Sequence, residues 1–191
     1  MIDCTEFWKI IDEARHRSAK VTDIPASLTD ILKGKPVADL LEFEKQGMEL
    51  FAHAYDARLW AAASLTMDFC SDDTFMDFRH WLIAQGKSAY EQALENPDTL
   101  ADLDLTSGDY KSPVLFHLAS VAVKIFTEKT GLDEMPLDYS KCRFPQLKLA
   151  NKEFELYDAA KLSTVFPKLH AKYEERRSKE PKSEPVFPPI D

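Results

Sequence analysis

One segment of the sequence concentrates side chains that can act as acids, bases or ligands. Asp72 and Asp73 are followed by Arg79 and His80 within residues 70–86, CSDDTFMDFRHWLIAQG. Paired carboxylates can serve as general bases or hold a divalent cation, and an arginine can bind an anion through its forked guanidinium. These four side chains are therefore candidates for a catalytic site or for an anion-binding site.

The acid pair also has a structural explanation. If Ser71 is the N-cap of a helix, Asp72 and Asp73 fall in its first turn, where each carboxylate stabilises the helix by about 0.3 to 1 kcal/mol. Divalent-cation sites need several converging oxygens, and two acids from one turn supply too few without ligands from elsewhere. Helix capping is therefore favoured over a metal or general-base role.

Arg79 lies at the edge of an apolar stripe formed by Phe75, Phe78 and Leu82. Its stem could cover the core while its charged head reaches water. A carboxylate from another helix could instead hold the guanidinium as a structural clamp, or the guanidinium could bind an anion. The sequence leaves these three alternatives open.

Two histidines could complete a metal site with the acid pair. His80 follows Asp77 by three residues, so a carboxylate could orient its imidazole. The same helix face carries Asp73, however, and this predicts a solvent-exposed imidazole. His53 falls on the polar face of the preceding long helix. A site with His53, His80 and Asp72 or Asp73 would require the two faces to converge, which the sequence does not show.

Nucleophilic catalysis finds little support in the sequence. Cys70 precedes a helix N-terminus, which can lower a thiol pKa, but the adjacent acids would raise it, and we expect a buried free thiol. The sequence has no GxSxG, phosphate-binding glycine loop, GxGxxG or HExxH motif. We therefore expect no cofactor and disfavour the familiar hydrolase and nucleotide-dependent activities.

The elements that must position these residues are helices. Apolar residues recur at helical spacing along most of the chain, which predicts a mainly all-α fold, a single-domain bundle of several helices. Gly131 suits the left-handed position that ends a helix. The predicted helices cover about residues 3–20, 28–33, 36–54, 59–67, 71–85, 88–94 and 112–130.

The C-terminal part has a different, irregular character. Alternation in residues 147–149 and 154–156 is compatible with a short β-hairpin. Residues 174–191 are charged and then proline-rich, which predicts a disordered tail. The chain is therefore divided into a helical domain over residues 1–135, a C-terminal extension over 136–173 packed on it, and the tail.

Charge restricts the classes of partner. The chain has 33 acidic against 24 basic residues and a net charge of −9. Nucleic-acid binding and attachment to anionic membranes both need basic patches, and none is evident before the tail. A basic protein partner suits the net charge better, because complementary charge steers encounter.

Compartment signals favour the cytoplasm. The N-terminus shows no secretory signal, and no apolar run is long enough to span a membrane. The 3 cysteines are widely spaced, as free thiols in a reducing compartment would be.

Several stretches carry a family resemblance. They are EFWKIIDEAR at 6–15, LWAAA at 59–63, the block from Cys70 to Gly86, PDTLA at 97–101 and FPKL at 166–169. Together they resemble the bacterial domain-of-unknown-function family 4240 over roughly residues 2–131, with FPKL as a weaker match beyond. The resemblance implies a small bacterial helical domain, and it carries over no activity and no site residues.

Three functional hypotheses follow. The first is a cytoplasmic protein-interaction domain, and within it an immunity or antitoxin protein that masks a basic toxin; this rests on charge and on analogy. The second is an enzyme or metal-dependent site built from Asp72, Asp73, Arg79 and His80. The third is a sensor in which Arg79 binds an anion. The oligomeric state is not predicted.

Overall fold

The chain folds as a succession of helices. A computed structural model describes residues 2–67, 70–104, 116–139, 149–151 and 159–179. Within these ranges it contains α1 (Cys4–Arg17), α2 (Ile24–Leu32), α3 (Val37–His53), α4 (Ala57–Met67), α5 (Asp72–Ala84), α6 (Lys87–Glu95), α7 (Phe116–Thr130), α8 (Ala159–Val165) and α9 (Pro167–Lys179), with 3-10 turns at Val21–Asp23 and Pro97–Asp102.

The prediction of an all-α single domain is confirmed, since the described residues contain helices and one isolated bridge but no strand. Among these helices, none combines the length and the hydropathy that crossing a membrane requires.

Side-chain caps explain where two of the helices begin. The Asp3 carboxylate accepts the Glu6 amide at 2.8 Å and opens α1. The Ser71 hydroxyl accepts the Thr74 amide at 3.3 Å and opens α5, as predicted. Each cap satisfies an amide that has no partner within its helix. At the other end of α7, Gly131 adopts the expected left-handed conformation with φ +71°.

The junction between α3 and α4 is fixed by a buried carboxylate. Asp56 is buried and accepts the backbone amides of Arg58 and Leu59 at 2.7 and 3.3 Å, which caps the start of α4. Ala150 forms a parallel bridge with Asp56, and Asn151 donates its side-chain amide to the same carboxylate. The predicted hairpin falls for the most part on residues 140–148 and 152–158, which lie outside the described residues.

The core lies around α4 and α5. α5 buries every residue from Phe78 to Ala84. α7 packs against α2, α3 and α5, while α1 packs against α2 and α3. The second half of α5 is therefore covered on all sides, although its first turn stays exposed.

The C-terminal helices are attached to the rest of the chain by hydrogen bonds. The buried Asp98 carboxylate accepts the amides of Lys168 and Leu169 at 3.3 and 2.9 Å, which caps the start of α9. The Lys172 ammonium donates to the carbonyl of Ala101 at 2.6 Å. α9 continues to Lys179, past residue 174 where the tail was predicted to begin, and residues 180–191 lie outside the described ranges.

Candidate functional site

The structure separates the predicted acid pair from the predicted arginine and histidine. Asp72 and Asp73 are exposed in the first turn of α5, where their charge favours the helix dipole. Arg79 and His80 are buried in its second half. Asp73 and His80 are seven residues apart on one helix, about 10 Å along its axis. An active site built from all four would require a common cleft, and this arrangement does not supply one.

Arg79 is a buried residue that forms a hydrogen bond with the C-terminal end of α3. It is 2% exposed, so the interpretation as a surface arginine is wrong. Its Nη1 donates to the carbonyl of Phe51 at 2.9 Å, and its guanidinium carbon lies 3.7 Å from the centroid of the Phe51 ring. α3 ends at His53, so the Phe51 carbonyl has no partner within the helix. A positive charge at this end also favours the helix dipole.

His80 is buried beside Arg79, and the predicted solvent-exposed position is wrong. It is 8% exposed and stacks on Phe51 with ring centroids 4.5 Å apart and planes inclined by 21°. Burial, with a smaller contribution from the charge of Arg79, lowers the His80 pKa to about 3. The imidazole is therefore neutral at physiological pH. The acids on the same helix face led to the prediction that His80 is exposed to solvent. α3 and α7, however, cover that face further along the helix.

The proposed two-histidine metal site is not assembled. His53 is exposed at the end of α3, as expected, with its ring 6.4 Å from the Tyr90 ring. His80 stacks on Phe51 instead. Among the described residues, no three His, Cys, Asp or Glu side chains are grouped closely enough to hold a metal ion.

Cys70 is a buried free thiol, as predicted. It is fully enclosed, and burial raises its pKa to about 11 despite the helix that begins after it. The thiol therefore stays protonated at neutral pH and is a poor nucleophile.

The candidate site of the molecule is a cavity, open to solvent, that is lined by α1, α3, α5, α7 and residues 133–139. Its volume is about 440 Å³. Small-molecule sites in proteins have volumes of this order, roughly 300 to 1,000 Å³. Most of its described lining is apolar, with Phe7, Phe43, Phe51, Met76, Ile83 and Val123 among the contributors.

Glu44 of α3 lies in this apolar lining with only 7% of its surface exposed. Burial alone raises its pKa to about 8, and no described residue offsets that burial with a hydrogen bond or an opposite charge. A buried polar group without a partner is unfavourable by several kcal/mol in an apolar medium, more if it is charged. At neutral pH the Glu44 carboxyl group is therefore largely protonated.

Glu44 was missed by the sequence reasoning, although the chain carries a signal for it. It follows Leu40 by four residues and precedes Gly47 and Phe51 by three and seven. Leu40, Gly47 and Phe51 form an apolar stripe at helical spacing, so Glu44 lies on the same face of the helix. A carboxylate at a stripe position is unusual enough to mark a candidate site.

The other polar groups in the described part of the cavity lining are acidic or neutral. Asp133 and Glu134 line it from an exposed segment, whereas His80, Ser120 and Tyr139 contribute groups that can form hydrogen bonds. No lysine or arginine is among the described residues of the lining. The arrangement suits an apolar molecule that offers a hydrogen-bond donor to a carboxyl group.

Comparison with known proteins identifies a family and no individual relative. A family model described as "Protein of unknown function (DUF4240)" matches residues 2–128. No curated protein and no solved structure matches the chain. The matched range contains α1 to α6 and most of α7, and hence most of the cavity wall.

Proposed function

This chain belongs to the DUF4240 family, and from that premise we propose that it is a binding protein for a small, mainly apolar molecule that occupies the cavity between α1, α3, α5 and α7. The single observation that carries the proposal is Glu44, a buried carboxyl group that no described residue pairs with, in a mainly apolar lining. Stability alone would be better served by an apolar side chain at this position. A ligand that pairs with the carboxyl group accounts for its presence.

The cavity also has the dimensions and chemistry of a ligand site. At about 440 Å³ it exceeds the packing defects of ordinary cores, which seldom hold more than a water molecule. Aromatic walls and a few polar groups are typical of such sites. Most of the described wall is contributed by helices of the main core, and residues 133–139 complete it.

The proposal is tested with prodan, a neutral naphthalene dye whose fluorescence responds to apolar surroundings. We expect saturable binding of one prodan per chain. Val123 lies in the cavity wall on α7, so Val123→Phe is expected to fill part of the volume and to weaken binding by about tenfold or more. Val165→Phe places the same ring on the exposed surface of α8 and is the matched control.

Circular dichroism establishes that both variants keep their helices. Absence of saturable prodan binding to the unmodified chain would contradict a site for neutral apolar molecules. Equal binding by Val123→Phe and Val165→Phe would contradict it too, because the dye would then be bound elsewhere.

A second candidate function is the masking of a basic protein, as an immunity protein masks a toxin. The net charge of −9 favours it, because complementary charge accelerates association. The basic partner and a cytoplasmic, bacterial setting stay predictions. An adjacent gene for a basic toxin, with a salt-sensitive complex between the two purified proteins, would support this function. Lack of both would contradict it.

A further inference from the structure

Resting on the proposed binding function, we propose that the cavity is selective for amphiphilic ammonium ions, with the ammonium group paired to Glu44 and the hydrocarbon body packed against the apolar wall. The ligand class is thus a primary or secondary alkylamine or arylalkylamine.

The position of Glu44 is the first argument. Its carboxyl group belongs to the cavity lining, is more than nine-tenths buried and receives no hydrogen bond from any described residue. An ammonium group offers up to three N–H donors together with a full positive charge. Hydrogen bonds between two charged groups are about twice as strong as neutral ones, and the low dielectric of the cavity strengthens them further.

The sign of the charge around the cavity is the second argument. Glu44, Asp133 and Glu134 are the three carboxyl groups of the described lining, which contains no lysine or arginine. Asp133 and Glu134 lie exposed at the rim, so a cation is attracted there and an anion is repelled. A carboxylate or phosphate ligand would meet acidic groups both at the rim and inside.

The remaining neighbours of Glu44 do not compensate its charge. α1 contributes the apolar residues Phe7 and Ile11 to the described lining, and α7 contributes Ser120 and Val123. The titratable groups that α5 and residues 133–139 bring to the cavity are His80, Asp133, Glu134 and Tyr139. The His80 imidazole is neutral, because burial lowers its pKa to about 3. None of these elements therefore brings a positive charge to Glu44 from its described residues, whereas a bound ligand could supply one.

Binding of an ammonium ion to this site moves one proton. With its pKa raised to about 8, the Glu44 carboxyl group is about nine-tenths protonated at pH 7. Pairing with an ammonium ion requires the carboxylate form, so the O–H bond breaks and the proton passes to solvent. The ammonium ion keeps all its protons. Binding at pH 7 is therefore coupled to the release of about 0.9 proton, and affinity rises close to tenfold between pH 6 and pH 7.

The experiment uses isothermal titration calorimetry on the full chain with hexylamine, hexanol and hexanoate. These probes share one hydrocarbon body and differ in charge. We expect hexylamine to bind about tenfold tighter than hexanol, with hexanoate weakest. Titrations in two buffers of different ionisation enthalpy measure the released proton directly, without any variant.

Two substitutions on α3 locate the effect. Glu44→Gln keeps the size of the side chain but cannot ionise, so it is expected to abolish both the preference for hexylamine and the proton release. Glu49→Gln removes an exposed carboxylate from the same helix and should leave both unchanged.

The outcomes distinguish this inference from the proposed function. If hexanol or hexanoate binds as tightly as hexylamine, or if hexylamine binds without releasing a proton, selectivity for ammonium ions is refuted. Prodan binding would in that case still support a cavity for neutral apolar molecules. If neither prodan nor any of the three hexyl probes binds, the binding function itself is refuted.

Discussion

The stability of the Glu44→Gln variant relative to the unmodified chain is expected to increase as pH rises. In the folded chain, burial raises the Glu44 pKa from its ordinary value of 4.5 to about 8. Below pH 4.5 both folded and unfolded chains hold the proton, so the carboxyl group contributes no pH dependence. Between pH 4.5 and pH 8 the folded chain holds the proton and the unfolded chain has lost it. The free energy of unfolding therefore falls as pH rises, and it levels off above pH 8.

The size of this effect follows from the two pKa values. Each tenfold change in proton concentration between them alters the free energy of unfolding by about 1.4 kcal/mol. The loss is on the order of 3 kcal/mol at pH 7 and on the order of 5 kcal/mol above pH 8. Glu44 is only 7% exposed, so solvent screens little of this effect. The glutamine variant cannot ionise at this position, so its free energy of unfolding does not decrease in this way.

Urea unfolding at pH 5, 6, 7 and 8 measures the effect. The difference between Glu44→Gln and the unmodified chain is expected to grow steadily over this range, whereas Glu49→Gln, an exposed position, should show almost no trend. Contributions from all other titrating groups cancel in the difference. A difference that stays constant from pH 5 to pH 8 would mean that the folded chain ionises Glu44 normally, and the reasoning about an unpaired buried carboxyl group would be refuted.

Three further predictions concern the surroundings of the site. Arg79→Met is expected to lower the free energy of unfolding by about 2 to 4 kcal/mol, as measured by urea titration. The reason is that the buried Phe51 carbonyl loses a charged donor and the Phe51 ring loses a cation. A change below about 1 kcal/mol would contradict this. Asp98→Ala removes the cap of α9 and is expected to lower the free energy of unfolding by about 1 to 2 kcal/mol. The direct measurement is hydrogen exchange at the Leu169 amide, which should become faster. Unchanged exchange at this amide would refute the capping role. The His80 imidazole should keep its neutral-form NMR shifts from pH 8 down to pH 5, and a titration step near pH 6.5 would show that water reaches the imidazole in the folded chain.

Local signals in the sequence predict the helices well. Ser71 with two following acids predicted the start of α5, and the structure confirms the capping hydrogen bond. Gly131 predicted the end of α7, and its positive φ confirms it. Both features depend on a few neighbouring residues, so no knowledge of the tertiary structure was needed.

Features that depend on distant contacts were predicted less well. His80 shares its helix face with acids, and only the packing of α3 and α7 over the second half of α5 shows that this face is buried. Arg79 was expected to meet a carboxylate, water or an anion. Its hydrogen bond to the Phe51 carbonyl depends on the place where α3 ends, which a pattern of side chains does not specify.

Glu44 represents a third case, in which the signal was present but masked by its neighbours. The apolar stripe of α3 is recognised from its apolar residues. A single acid among them is therefore easily assigned to the exposed face of the helix. The cavity itself arises from five separate segments of the chain, the last of them near residue 135. Its volume and its acidic rim could not be derived from any one helix.

The two hydrogen bonds at the end of α3 bear on how the molecule opens. Helix ends usually fray first, because their last carbonyls lack partners. Here the Phe51 carbonyl is bound by Arg79 of α5, and the Leu50 carbonyl accepts the Tyr90 hydroxyl of α6 at 2.7 Å. Unwinding of this end must therefore disturb three helices at once, so the last turn of α3 belongs to the same cooperative unit as the core.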